Sequence, residues 1–197
     1  VEVVVPKKIR CCGSLNHHLG KEDDAHQDFI NNINTWYEEH LKGNLDAILS
    51  NTSGCGTTMK DYGFIFKDDE KMKKKAKVVS DLTKDVSEYL NENLKLDFKS
   101  KEKKYKIAYH SACSMQHGQK VHNQPIELLT KTSNEIMEIP EGHICCGSAG
   151  TYNILQTEIA KELLSKKVKN IESLKPDFIS TGNIGCITQI ANGTKTP

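Results

Sequence analysis

The sequence predicts an α/β protein made of two duplicated cysteine-rich units. Each unit is a mostly parallel sheet flanked by helices, and the first is truncated at its N-terminus. Three observations lead there. A Cys-Cys-Gly-Ser motif occurs twice, at 11–14 and 145–148. The same landmarks surround each copy: a proline five residues before the pair (Pro6, Pro140), and an Asp nine residues before a lone cysteine (Asp46 to Cys55, Asp177 to Cys186). Short β-branched runs also alternate with segments of helical apolar spacing, the pattern of strands joined through helices. The gap from the second cysteine of the pair to the lone cysteine is 43 residues in one copy and 40 in the other. A chain of 197 residues accommodates both units, and the charged stretch 94–104 is the expected boundary, giving units 1–98 and 99–197.

In chain order, the β-branched run Val1–Val5 predicts a short strand. Residues 22–41 carry Ala25, Phe29, Ile33, Trp36 and Leu41 at helical spacing. Asp46–Leu49 reads as a short buried strand, followed by a Gly54-Cys55-Gly56 turn. One helix is expected over Asp68–Leu94, from Val78, Val79, Leu82, Val86 and Leu90. In the second unit, strands are expected at Lys106–Tyr109, Glu135–Ile139 and Asp177–Ser180, with an amphipathic helix over Gln156–Ile171. Every cysteine except the N-terminal pair then follows a predicted strand. In open α/β sheets the carboxyl ends of strands are where sites gather.

Composition excludes several function classes. Lys plus Arg (27) against Asp plus Glu (26) leaves a net charge of +1, without the basic excess of a dedicated nucleic-acid binder. No apolar run approaches the roughly 18 residues of a membrane span. The chain opens at Val1 inside an apolar run, with no Met and no signal-peptide layout, and reads as a fragment or processed piece. There is no Gly-x-Gly-x-x-Gly dinucleotide fingerprint.

The seven cysteines, Cys11, Cys12, Cys55, Cys113, Cys145, Cys146 and Cys186, fit a disulfide framework poorly. Their number is odd, and two pairs are adjacent, with Cα atoms about 3.8 Å apart and so below the usual disulfide range. Cys113 lies 32 residues before Cys145; the equivalent position before Cys11 would precede Val1, so an eighth cysteine is expected upstream. Three chemistries suit converging cysteines. An iron–sulfur cluster needs four thiolates, and the glycines beside them (Gly13, Gly54, Gly56, Gly147, Gly150, Gly185) would let backbone N–H groups approach the sulfurs. Tetrahedral zinc is equally satisfied by four thiolates, although no Cys-x₂₋₄-Cys knuckle is present. Thiol–disulfide chemistry at the adjacent pairs is the third. His17, His18, His110, His117 and His143 lie near the motifs and are read as turn caps or carbonyl partners, outside the ligand set. The run 71–77, rich in lysine, reads as a solvated helix face, with contact to an anionic membrane surface as its other use.

The two Cys-Cys-Gly units resemble the cysteine-rich CCG domains of heterodisulfide reductase and its relatives. The stretches Gly147-Ser148-Ala149-Gly150-Thr151-Tyr152-Asn153 and Thr181-Gly182-Asn183-Ile184-Gly185-Cys186 point more narrowly to the iron–sulfur subunit of bacterial glycolate oxidase, of which the chain is similar to the C-terminal half. The resemblance implies an electron relay without substrate chemistry of its own. A separate flavoprotein subunit would oxidise glycolate to glyoxylate, and iron–sulfur clusters would pass electrons towards the quinone pool. The chain would then be cytoplasmic or peripheral on the inner face of the membrane. The ligands it implies are Cys113, Cys145, Cys146 and Cys186 for one [4Fe-4S] cluster, and Cys11, Cys12 and Cys55 for a second. The sequence departs from heterodisulfide reductase units, which end in Cys-x-x-Cys: Thr58 and Gln189 stand at the third position after Cys55 and Cys186. Four cysteines per unit fit an ordinary cubane rather than a noncubane cluster. The alternatives are an iron–sulfur subunit for lactate or glycerol-3-phosphate oxidation, or a zinc-stabilised docking module.

Overall fold

The computed structural model describes residues 1–43, 45–96, 98, 103–132 and 134–197. It is a mixed α/β structure whose chain divides into two compact units: 1–50 with 54–84, and 51–53 with 85–197. The boundary expected at 98/99 runs into residues 97 and 99–102, which lie outside the described residues. The division at 84/85 follows from helix α5 (Val86–Asn93), which packs against α6 (Gln124–Lys131) of the second unit.

In the first unit, α1 (Ser14–His18) and α2 (Glu22–Leu41) follow the Cys11-Cys12 pair. Acidic Glu22, Asp23 and Asp24 in the first turn of α2 complement the helix dipole. One face of α2 buries Ala25, Phe29, Ile33 and Trp36 against Met59, Tyr62 and Phe66 of the α3 region (Ser53–Ile65) and Ala76 and Val79 of α4 (Lys73–Leu82). Strand β1 (Ile48–Ser50) pairs with β2 (Thr83–Asp85) in a two-stranded sheet.

The second unit holds a three-stranded parallel sheet of order β4-β3-β5. Its strands are β3 (Lys106–Tyr109), β4 (Glu135–Glu138) and β5 (Phe178–Ser180). A π-helical turn (Ser114–Gln119) and α6 carry the chain from β3 to β4. Helices α7 (Tyr152–Leu155) and α8 (Thr157–Ser173) carry it from β4 to β5, on the other side of β3, and α9 (Ile184–Ala191) follows. Central β3 has Ile107, Ala108 and Tyr109 buried, as a strand covered on both faces requires.

Three expectations are corrected. Val1–Val5 forms no strand and stays solvent-exposed, because no neighbouring strand hydrogen-bonds to it among the described residues. The single helix over Asp68–Leu94 is broken at Thr83, which is buried and extended. Asp85 starts a new helix there, its carboxylate accepting from Ser87 N–H while Glu88 accepts from the Asp85 N–H in a capping box. The Gly54-Cys55-Gly56 turn is the first turn of α3, so Cys55 sits at a helix start, as Cys186 does in α9.

The glycine of each Cys-Cys-Gly motif is fixed by two constraints. Gly13 and Gly147 both adopt left-handed backbone, with φ of +77° and +92°. A Cβ on Gly147 would stand 2.4 Å from the Ala160 carbonyl of α8, and one on Gly13 would stand 2.4 Å from the Phe29 ring of α2. Gly147→Ala is therefore expected to cost on the order of 2–4 kcal/mol in urea denaturation, from backbone strain plus the clash. Gly20→Ala, with φ of +72° and nothing within 4 Å of the new Cβ, isolates the strain and is expected to cost about 1–2 kcal/mol. Equal losses at both sites would remove the packing argument.

Candidate metal centre

Three strands deliver the sulfurs of the second unit. Cys113 follows β3, the Cys145-Cys146 pair follows β4, and Cys186 lies in the first turn of α9 after β5. Because β4 and β5 flank β3 on opposite sides, these loops leave the sheet where strand order reverses, the place such sheets open a crevice.

Close packing of the loops fixes their approach. A Cβ on Gly185 would stand 2.7 Å from Ser148 Oγ, so the residue before Cys186 packs closely on the residue after Gly147 and a side chain there would turn the Ser148 hydroxyl aside. Asn183 caps α9, its Oδ1 accepting from the N–H groups of Gly185 (2.9 Å) and Cys186 (3.3 Å). The Asn183 amide in turn donates to Ser53 Oγ at 3.1 Å and Ser114 Oγ at 3.3 Å, tying the α9 start to the π-helical turn behind Cys113. Gln189 is buried; its Oε1 accepts from Asn153 at 3.1 Å. It therefore fills the third position after Cys186 with a paired amide. The loop before Cys145 is clamped by α8: Asn170 Nδ2 donates to the Pro140 carbonyl at 2.9 Å, and Lys167 Nζ to the carbonyls of Glu141 (3.3 Å) and Gly142 (3.4 Å). Lys167 is fully buried; desolvation pulls its pKa below the ordinary lysine value, opposed by the nearby sulfurs of Cys146, Cys145 and Cys186.

All seven cysteines are free thiols. Cys146 Sγ donates to Cys186 Sγ at 3.3 Å, and the Gly147 N–H donates to Cys145 Sγ at 3.3 Å. The sulfurs divide into proton holders and proton acceptors. Hydrogen bonding by the Cys113 and Cys146 thiols, helped by the Gly147 N–H, holds Cys145 far below the usual thiol range. Cys186 is lowered by the Cys146 thiol and then by the His110 imidazole, against its burial. Cys113 and Cys146 are raised, chiefly by donating to Cys145 and then, for Cys146, to Cys186. A metal ion bound here would have to displace the protons that Cys113 and Cys146 hold, so its affinity would rise with pH.

The first unit repeats part of this. Cys12 and Cys55 share a proton, which raises Cys12 and lowers Cys55 to about 7. Buried Asn32 holds the Cys11 backbone, its Nδ2 donating to the Cys11 carbonyl at 2.7 Å, and Tyr62 OH donates to the Cys12 carbonyl at 2.9 Å. The structure thus gathers Cys113, Cys145, Cys146 and Cys186 in one unit and Cys11, Cys12 and Cys55 in the other.

His110, read from the sequence as a turn cap or carbonyl partner, lies among the sulfurs. It is buried at the carboxyl end of β3, its N–H bonded to the Ser180 carbonyl. Its ring lies beside the sulfurs, and the donor atoms of His110, Cys146 and Cys186 lie within 4.8 Å of one another. No other His, Cys, Asp or Glu trio is so close among the described residues. Neither ring nitrogen pairs with an oxygen; the neighbour of the imidazole is the Cys186 sulfur. Its position three residues before Cys113 was the available signal. The other flanking histidines do not join such a group; His17 stacks edge-on against Phe29.

A family model described as a cysteine-rich domain, CCG, matches residues 1–60 and 107–191. The chain belongs to the CCG cysteine-rich domain family. The two matched segments coincide with the two cysteine sets, as duplicated CCG units require. Over its full length the chain is 34% identical to the glycolate oxidase iron-sulfur subunit of Escherichia coli (strain K12), covering 48% of that protein. It is 29% identical to the probable glycolate oxidase iron-sulfur subunit of Bacillus subtilis (strain 168), with 98% of the chain aligned to 43% of that protein. It is 25% identical to lactate utilization protein A of Geobacillus sp. (strain WCH70), with 98% of the chain aligned to 79% of that protein. The chain therefore spans about half the length of the glycolate oxidase relatives.

The thiol pattern of both CCG units is testable on the reduced, metal-free chain. Cys145 and Cys55 are expected to react with iodoacetamide at pH 7 ahead of Cys113 and Cys12, although Cys113 is more exposed than Cys145. A lowered pKa leaves Cys145 as thiolate throughout pH 6–8, so its rate should stay nearly flat; an ordinary thiol gains up to about tenfold per pH unit below its pKa. Peptide mass spectrometry showing Cys113 alkylated first would contradict this assignment.

Proposed function

We propose that this chain is the cluster-holding part of an iron–sulfur subunit that carries electrons within an oxidoreductase acting on a 2-hydroxy acid. Cys113, Cys145, Cys146 and Cys186 would hold one cluster, [4Fe-4S] by ligand count. Cys11, Cys12 and Cys55 would contribute to a second. The observation that carries the reading is the meeting of four free cysteines behind three parallel strands, with the Cys146 and Cys186 sulfurs 3.3 Å apart and no disulfide among them. Soft thiolates of this kind are what iron–sulfur clusters take. A bound cluster supplies one-electron transfer. The protein's own part is to hold the sulfurs, present the Gly147 N–H to Cys145, and keep a buried lysine near the accumulated negative charge.

Glycolate is the substrate favoured for the complex, oxidised on a separate flavoprotein subunit, with electrons passing on towards the quinone pool. Support comes from the 34% identity to an iron–sulfur subunit named for glycolate oxidase. Lactate is the second reading, favoured by the larger share of the lactate utilization protein that the chain covers. Location on the inner face of the cytoplasmic membrane fits this reading. No helix among the described residues is long and apolar enough to cross a membrane, so any attachment through those helices would be peripheral. The lysines of α4 and the turn before it offer a basic face, tempered by the Lys73–Glu70 and Lys77–Asp81 ion pairs.

Anaerobically purified chain is expected to carry iron and acid-labile sulfide in equal amounts, about four of each per occupied unit, with a visible band that bleaches on reduction by dithionite. Cys146→Ser should remove the second unit's share. Chain that takes up no sulfide under reconstitution would end the electron-relay reading. Co-purification with a flavoprotein that reduces a dye with glycolate but not lactate would separate the two substrates.

A further inference from the structure

We propose that His110 is a metal ligand: with Cys146 and Cys186 it forms a nitrogen–sulfur site for a single divalent, borderline-soft cation in the cluster-free chain. The site shares two sulfurs with the cluster reading above but does not depend on it.

The argument begins with burial. His110, Cys146 and Cys186 are 3%, 1% and 5% exposed, so no bulk water competes for their donor atoms. The His110 backbone is fixed at the end of central β3 by its N–H bond to the Ser180 carbonyl at 2.8 Å, and the ring itself is buried there. Neither ring nitrogen pairs with a carbonyl, hydroxyl or other oxygen, and the bonding neighbour of the imidazole is the Cys186 sulfur. A histidine placed only to fill space would bond at least one nitrogen to a carbonyl or hydroxyl. The spacing is that of ligands around one ion: donor atoms bound to a tetrahedral centre at roughly 2.0–2.3 Å lie within about 4 Å of each other, and the three donors here already lie within 4.8 Å. Two thiolates and one imidazole are a known three-residue set for zinc-like ions, with a fourth position left for another donor.

The test uses the full chain, reduced, anaerobic and stripped of iron, titrated with cobalt(II). One equivalent is expected to give sulfur-to-cobalt charge-transfer and tetrahedral d–d bands from this site. His110→Ala should weaken that equivalent by at least about tenfold and shift its d–d bands, since loss even of a supporting residue costs 10–100-fold. Any cobalt taken by the first unit is common to both proteins and cancels in the comparison. Affinity and spectrum unchanged in His110→Ala overturn the proposal, as does a wild-type chain that binds no cobalt in the second unit. Should His110→Ala fail to fold, ¹⁵N-histidine NMR of the wild-type chain titrated with zinc decides, with His110→Asn assigning the signal. A ring-nitrogen shift supports ligation, and an unmoved resonance rejects it. Iron and sulfide uptake by His110→Asn separates the two readings: normal uptake with unchanged cobalt binding sinks the histidine site and spares the cluster. Tight cobalt binding in wild type without any sulfide uptake does the reverse.

Discussion

A parallel strand returns its chain to the same edge of the sheet each time, because every crossover must run back along the sheet before the next strand begins. In the second unit that rule meets a reversal of strand order at β3, with β4 on one side and β5 on the other. Three loops then leave one edge around a single central strand, and each carries its cysteine within a few residues of the strand end. No long-range contact between cysteines has to be specified separately. Once β3 is central and parallel to both neighbours, residues distant in sequence share one small volume, and His110 enters it as the next residue of β3 itself.

Sheet topology brings the loops near, and side-chain bulk decides how near. Gly147 lies under the Ala160 carbonyl, and Gly185 lies against Ser148. At Gly147 the obstacle is backbone and cannot move aside, whereas at Gly185 it is the Ser148 hydroxyl, which a rotation relieves, so the first glycine is the stricter requirement. The same logic recurs at Gly13, where the space is taken by Phe29. The duplicated units therefore keep the backbone requirement while using different neighbours to impose it. Their cores differ accordingly. The first is built on Phe29, Trp36, Tyr62 and Phe66, while the second counts Cys146 and Cys186 among its buried residues.

Much of this was legible in the sequence. The cysteine duplication, helix α2 with its Ala25–Phe29–Ile33–Trp36 face, and strand β3 all follow from spacing and periodicity. Grouping the cysteines into sets of four and three also follows from their repeated distances. What escaped has physical reasons. Val1–Val5 has strand composition, but a strand exists only where a neighbour supplies hydrogen bonds. The break at Thr83 hides inside a continuous helical pattern, although the Asp85 and Glu88 capping box gave it away. Gly54 and Gly56 argued for a turn at Cys55, yet the helix formed because Met59 and Tyr62 gain more by burial than two glycines lose in backbone entropy. The nearness of His110 to Cys113 was visible, but its meeting with Cys146 and Cys186 was not, because that depends on neighbouring strands that one segment of sequence does not describe.

The free thiols also bear on how the second unit holds together. A core built from Cys146 and Cys186 gains less from burial than one built from Phe or Leu, and it adds a buried imidazole and a buried lysine. The first unit meets the same motif with four buried aromatic residues behind it, and its cysteines are only half-buried or exposed. A metal that bound the second set would give the His110 imidazole a ligand bond and replace S–H groups by metal–thiolate bonds. Each of these changes favours the folded arrangement over the unfolded chain, so binding energy at this site is folding energy. The buried polar groups that look costly without a ligand are then the same groups that make a ligand bind tightly. The second unit depends on that exchange more than the first, because fewer of its core contacts are purely apolar.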